Sequence, residues 1–185
     1  MSDFISTGFQ ELDEELGGGL PKGAITLFGG ETRVSAKKLG RMVTDNISWH
    51  KKVRVINGKG NTFEGVATEV FHGVQEVDFL FLVNLGLAES PANSLDYLAQ
   101  SYNQLFRSCS FEGKAILIHY GGNRLPIGVD LLASHRFDVT QDNNGDYLLQ
   151  HTKNRVGVPG NYVKIPVKPK VVIPSRFNRK CLFDV

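Results

Sequence analysis

The stretch Ala24-Ile25-Thr26-Leu27-Phe28-Gly29-Gly30-Glu31-Thr32-Arg33-Val34-Ser35-Ala36-Lys37-Lys38 decides the fold. Its first five residues read as a buried strand, a glycine turn follows, and a helix begins before the stretch ends. Strand, glycine turn and helix form the setting of a phosphate-binding loop, whose pattern is G-x-x-x-x-G-K-[ST]. The glycines let backbone N–H groups approach phosphate, the Lys meets the β/γ charge, and the hydroxyl holds Mg²⁺. Counted from Gly30, Ser35 stands at the second glycine, Ala36 at the Lys and Lys37 at the Ser/Thr. The frame is kept and its chemistry is gone. Gly29, Gly30, Ser35, Ala36, Lys37 and Lys38 therefore make up a degenerate nucleotide loop.

Working outward, residues 5–23 open with a cap-like Ser6-Thr7. A short amphipathic helix then carries Phe9, Leu12 and Leu16 on one face. Gly17-Gly18-Gly19 ends it, and Pro21-Lys22-Gly23 turns into the first core strand. The acidic run Asp13-Glu14-Glu15 reads as a solvated helix face. A helix over 36–49 places Leu39, Met42, Val43 and Ile47 on one side. Val53–Ile56 is a second strand, with Lys59 and Gly60 in the loop after it. Residues 62–76 are ambiguous, with Val66, Val70 and Phe71 able to face a core from a helix. Asp78–Leu85 is apolar enough for a central parallel strand covered on both faces, so Phe79 and Phe81 are core. A long helix is expected over 94–109. The strand Lys114–His119 leads to the loop Tyr120-Gly121-Gly122-Asn123-Arg124, at a carboxyl end where α/β ligand sites lie. Residues 136–140 and 147–152 read as a hairpin about Asn143-Asn144-Gly145-Asp146. Residues 162–166 and 171–173 read as final strands, with Pro166 and Pro169 marking edges.

The 185 residues suit one domain: 1–23 as N-terminal helix and entry turn, 24–140 as α/β core, 141–185 as a basic β-rich end. No apolar run reaches the roughly 18 residues of a membrane span. The start of the chain has no signal-peptide pattern, and Cys109 and Cys181 show no metal spacing. The expectation is a cytoplasmic protein without a membrane partner. Charge is uneven: residues 151–185 carry eight Lys/Arg against one acid, and residues 1–150 carry 13 against 18. Such a basic end suits a polyanion such as DNA, an acidic protein surface, or plain solvent.

The opening ISTGFQELDEELGGGLPKGAITLFGGE resembles the start of the RadA/Sms branch of RecA-like ATPases, and less closely KaiC-like and DnaB-like ATPases. Lys153-Asn154-Arg155-Val156-Gly157 resembles the K-N-R-F-G signature of bacterial RadA, with Val for Phe. LLASHRFDV before the hairpin and VVIPSRFN near the end agree in order. The resemblance spans most of residues 4–178, with a shorter middle and neither the zinc-finger nor the Lon-like module. It implies a RecA-like P-loop NTPase core: an α/β fold with a mostly parallel central sheet, flanking helices and a C-terminal β-hairpin region.

Against that family the chain departs at three charged positions. Ala36 replaces the loop Lys. Asn84 ends the strand where an Asp orients Mg²⁺. Lys59 and Gly60 stand where the catalytic Glu is due. Each loss removes charge needed for phosphoryl transfer, and such charges are each worth several kcal/mol of barrier. The reading is a catalytically inactive domain with no cofactor, beyond weak nucleotide or anion binding at the helix N-terminus. It acts in recombination, repair or replication by binding DNA or a RecA/RadA/DnaB-like ATPase, or by self-association. The alternatives are an atypical DNA-dependent ATPase that uses Lys37 or Lys38, and a protein-interaction module without DNA binding. The binding residues expected are Lys153, Asn154, Arg155, Gly157, Lys164, Lys168 and Lys170 of the basic end, with Tyr120 and Arg124 of the loop. His119 and His135 read as structural, with no acid or Ser placed to complete a triad.

Overall fold

The computed structural model describes residues 3–30, 33–88, 103, 104, 107, 113–120, 132–154 and 160–167. The elements are β1 Phe4–Ile5, α1 Gln10–Glu15, β2 Leu20–Pro21, β3 Ile25–Gly29, α2 Arg33–Ser48, β4 Val53–Asn57, α3 Phe63–Val74, β5 Phe79–Val83, β6 Ala115–His119, β7 His135–Gln141, β8 Tyr147–Asn154 and β9 Tyr162–Ile165. Seven strands form one sheet in the order β4-β5-β6-β3-β7-β8-β9. The first five run parallel, and β8 and β9 add antiparallel. The sequence expectations at residues 94–109 (apart from 103, 104 and 107), at 121–124 and at 171–173 lie outside the described residues.

Handedness places the layers. The step from β3 to β4 runs one way along the sheet, and the step from β4 to β5 runs back. Right-handed crossovers in opposite directions put their helices on opposite faces. Accordingly α2 packs Leu39, Val43 and Ile47 with Phe28, Phe79 and Phe81. On the other face α3 packs Val66, Val70 and Val74 with Leu27, Leu80, Leu82 and Ile118. β5 and β6 are buried at every residue, as expected of strands covered on both sides. The ambiguous stretch 62–76 is thus a helix, capped by Thr62, whose Oγ1 accepts from Gly65 N at 3.1 Å. Its Phe71 faces outward, because Val66, Val70 and Val74 already fill the inward stripe.

The N-terminal region differs from expectation in three ways. Pro21, read as the first residue of the turn Pro21-Lys22-Gly23, instead pairs with Phe4, so that Leu20–Pro21 and Phe4–Ile5 form a small antiparallel sheet. Ser6 and Thr7 do not cap α1, whose N-cap is Phe9. They hold Asp13 instead: Thr7 donates to Asp13 Oδ1 through its N–H at 2.8 Å and its hydroxyl at 2.7 Å. The acidic run is therefore not a bare solvated face. Asp13 ties down the entry loop, and Glu15 reaches Asn161 and His151 under the C-terminal hairpin.

Candidate functional site

The five parallel strands end on one edge of the sheet, at Gly29, Asn57, Val83, His119 and Gln141. β3 connects toward β4 on one side, and its neighbour β6 connects past it to β7 on the other. Strand order reverses between them, and this is where a ligand crevice opens in α/β sheets.

Packing residues occupy the loop positions there. α2 begins at Arg33, three residues earlier than the expected start at Ala36. A phosphate loop needs residues 33–35 to wrap an anion. Ser in place of a glycine at 35 favours helix instead. Ser35 is buried, and its hydroxyl donates to Gln141 Oε1 at 3.0 Å. Ala36 falls on the stripe Ala36-Leu39-Val43-Ile47, with no exposed surface, in the same packed cluster as Phe28 and Phe137. The position due a phosphate-binding Lys thus points into the core. Lys37 is half-buried and Lys38 exposed. Gly30 keeps a structural reason of its own: at φ 129° a Cβ would lie 2.5 Å from the carbonyl oxygen of Val139.

Beside it, Asn84 is buried in the left-handed conformation at φ 55°. Its N–H donates to Nδ1 of buried His119 at 3.3 Å. Its side-chain Nδ2 donates to Asn57 Oδ1 at 2.9 Å. The same Oδ1 accepts the N–H of Lys59 at 3.1 Å, which fixes the orientation of the Asn57 amide. Asn84 must therefore supply an N–H₂ group, which an Asp lacks. Lys59 and Gly60 are exposed on the loop beyond. Tyr120 is half-buried against Gly86, where a Cβ would meet its ring at 2.3 Å, and burial raises the pKa of its hydroxyl. Its ring is thus packed in place. Asp138, paired with Gly29 in the ladder, has a buried Oδ1 without a hydrogen bond, 3.5 Å from Arg136 Nε.

Lys153 and Asn154 are not brought to this edge. β8 runs antiparallel, so they lie at the opposite edge, beside the start of β7. The pairing skips Thr152, and this bulge resets which way the chain faces. Lys153 opposes Arg136 and shares its face; Asn154 opposes buried His135 and faces inward. Arg136, a cation the sequence reading passed over, thus joins Lys153. Lys164 is exposed and ion-paired. Its Nζ is held by Asp142 at 2.8 Å and Asp146 at 3.0 Å. Hydrogen bonding to Asp142, then Asp146, raises the Lys164 pKa, and the Lys164 contact lowers that of Asp142. The hairpin turn places both carboxylates opposite it: Asp142 Oδ1 accepts from Asn144 N and Asp146 N, leaving Oδ2 for the cation. Arg124, Arg155, Gly157, Lys168 and Lys170 lie outside the described residues.

A second cluster was missed altogether. His135 and His151 meet at 3.3 Å, and His151 contacts Glu15 at 2.5 Å, so His135 does have an acid behind it. Glu15 lies three residues from Leu12 on α1, and His151 alternates with Tyr147 and Leu149. Both positions signal burial. Among the described residues, no group of three or more His, Cys, Asp or Glu is placed to hold a metal ion. Nor is any helix among them long and apolar enough to cross a membrane.

The fold is thus α/β, with a mostly parallel central sheet flanked by helices, and the described residues at its crevice include the amides of Asn57 and Asn84 and the buried carboxylate oxygen of Asp138. No family model matches the chain. A stretch of 54 residues is 39% identical to the DNA repair protein RadA of Aquifex aeolicus (strain VF5), covering 29% of this chain and 12% of that protein. The similarity is partial and points at most to a RecA-like family and to DNA repair or recombination.

Proposed function

We propose that this chain is a RecA/RadA-like domain that does not hydrolyse ATP and that serves recombination, repair or replication by binding DNA or a RecA-family ATPase. The observation that carries the reading is the inward-facing Ala36 at the position where the loop pattern requires a lysine. The amide pair Asn84–Asn57, in place of a carboxylate at the neighbouring strand ends, supports it independently. The partial likeness to a RadA protein supports the choice of DNA transactions over other uses of an α/β crevice. The placement of Lys153 and Arg136 at the opposite edge favours contact with a neighbouring molecule, as in a ring, over coupling to the loop within one chain.

The test is ATP turnover by the purified chain with and without single- and double-stranded DNA, alongside DNA binding across a salt series. The reading expects no turnover, and binding that weakens with salt and with Lys153→Ala or Arg136→Ala. Turnover abolished by Lys37→Ala or Lys38→Ala would overturn it in favour of an atypical ATPase. The neutralisation of Lys164 favours a second reading, a protein-interaction module without affinity for DNA. That reading gains if a RecA-like ATPase is bound and no DNA is retained at low salt.

A further inference from the structure

A chain of buried titratable groups ends at a pocket on the edge away from the crevice. The pocket, of about 390 Å³, is lined by Phe4, Glu15, Pro21, Ser134, His135 and Asn154 among others. Glu15 Oε1 lies 2.5 Å from Nδ1 of His151. His151 Nε2 lies 3.3 Å from Nδ1 of His135. His151 has no exposed surface and stacks on Phe137 at 4.3 Å; His135 is 5% exposed. The other oxygen of Glu15 accepts from Asn161 Nδ2 at 3.1 Å.

With Glu15 ionised, one tautomer of each ring fits these contacts. A carboxylate only accepts, so His151 Nδ1 carries a proton. Nε2 of the neutral His151 is then a lone pair, and it accepts the N–H of His135 Nδ1. Nε2 of His135, at the end of the chain, is left as a bare acceptor. One added proton binds that Nε2, and the Nδ1 proton of His135 passes to His151 Nε2. The product is a His151 imidazolium beside Glu15, with His135 neutral and bearing its proton on Nε2. One proton enters and one is transferred. The positive charge comes to rest next to the carboxylate.

We propose that Glu15, His151 and His135 form a proton relay that reverses the hydrogen-bonding polarity of this pocket. His135 accepts from a bound N–H or O–H group before proton uptake and donates to a bound carbonyl or carboxylate after it. The surroundings support where the charge goes. α1 contributes Glu15, β8 contributes His151, and β7 contributes His135. The segment before β9 adds neutral Asn161, and β1 and β2 add apolar Phe4 and Pro21. Lys153 and Arg136 share the other face of the sheet. Charge on His135 itself is disfavoured by burial and then by His151, which hold its pKa near 4, only partly offset by Glu15.

Long-range ¹H–¹⁵N spectra of the full chain, labelled at histidine and titrated between about pH 8 and pH 5, test this. The expected result is that His151 gains charge while His135 stays neutral and moves its proton from Nδ1 to Nε2 at the same midpoint. Glu15→Gln, which keeps the shape and removes the carboxylate, takes away the resting place of the charge, and the tautomer change of His135 is lost with it. His135 charging first, or keeping one tautomer throughout, would overturn the relay. The wild-type titration decides this even if the Gln variant fails to fold.

Discussion

Placing a lysine where the loop pattern would have one, Ala36→Lys, tests whether the loop is part of the core. Ala36 is wholly buried on the inward stripe of α2, with Phe28 and Phe137 in its cluster. A lysine there either holds its charge without water or loses its proton. Buried lysines lose about 3–5 pK units, which at 1.36 kcal/mol per unit is about 4–7 kcal/mol. If the four-carbon stem reaches out to solvent, overpacking alone costs about 1–3 kcal/mol. Against a total stability of about 5–15 kcal/mol, either cost is plain in urea unfolding. Lys38→Ala, at an exposed position on the same helix, is the control and shifts stability by less than about 0.5 kcal/mol. The variant gains no affinity for Mg-ATP, and adding Asn84→Asp and Lys59→Glu restores no hydrolysis. An Ala36→Lys protein that unfolds at the wild-type urea concentration and binds Mg-ATP would refute the reasoning, because its side chain would then face a phosphate site.

Further expectations rest on other contacts. Asn84→Asp replaces the N–H₂ group that Asn57 Oδ1 receives with a second acceptor, so stability drops by about 1–3 kcal/mol in chemical denaturation near neutral pH. Stability also falls on acidification. His135 titrates near 4 when folded and near its ordinary 6.5 when unfolded, so between these values the unfolded chain binds more protons. The loss begins below about pH 6.5 and is complete near pH 4, with an upper limit of about 3 kcal/mol, cut to roughly half by water at the pocket mouth. Urea midpoints at several pH values measure it, and a flat profile would count against the buried position of His135. Lys164→Ala loosens the 142–146 turn, seen as faster amide exchange there, and leaves DNA affinity unchanged while Lys153→Ala weakens it.

The fold was legible wherever burial wrote a period into the sequence. β5 and β6 showed as apolar runs because both faces are covered, and Leu39, Val43 and Ile47 marked α2 by helical spacing. The order of strands within the sheet was not legible, since no residue states its neighbour across a crossover. At the loop, the departures from the G-x-x-x-x-G-K-[ST] pattern could be counted, but not how the residues present there pack. That Ser35 bonds Gln141, 106 residues away, and that Ala36 turns inward are tertiary facts. The bulge that skips Thr152 and sets the facing of Lys153 leaves no mark in the residue pattern. The link from Glu15 to His151 spans 136 residues and joins a helix face to a strand face. Each position gave only a local sign of burial, and the partnership came from the sheet.

The two edges of the sheet are joined by β7. Its first residues, His135 and Arg136, belong to the relay and to the basic pair with Lys153. Its last, Gln141, receives the Ser35 hydroxyl of α2 and donates to the carbonyl of Gly145 in the hairpin turn at 3.0 Å. Seven residues of strand separate these ends by about 20 Å at the usual rise. A nucleotide loop that opened and closed on phosphate would need the start of α2 to move against β7. The Ser35 bond and the buried Ala36 oppose that motion. With one end of β7 held in this way, Arg136, beside Asp138, and Lys153 lie at the other edge on the same strand pair. Rigidity suits recognition, because little ordering is left to oppose binding. The contacts of Ser35 and Ala36 at one edge therefore also steady the surface proposed to bind at the other.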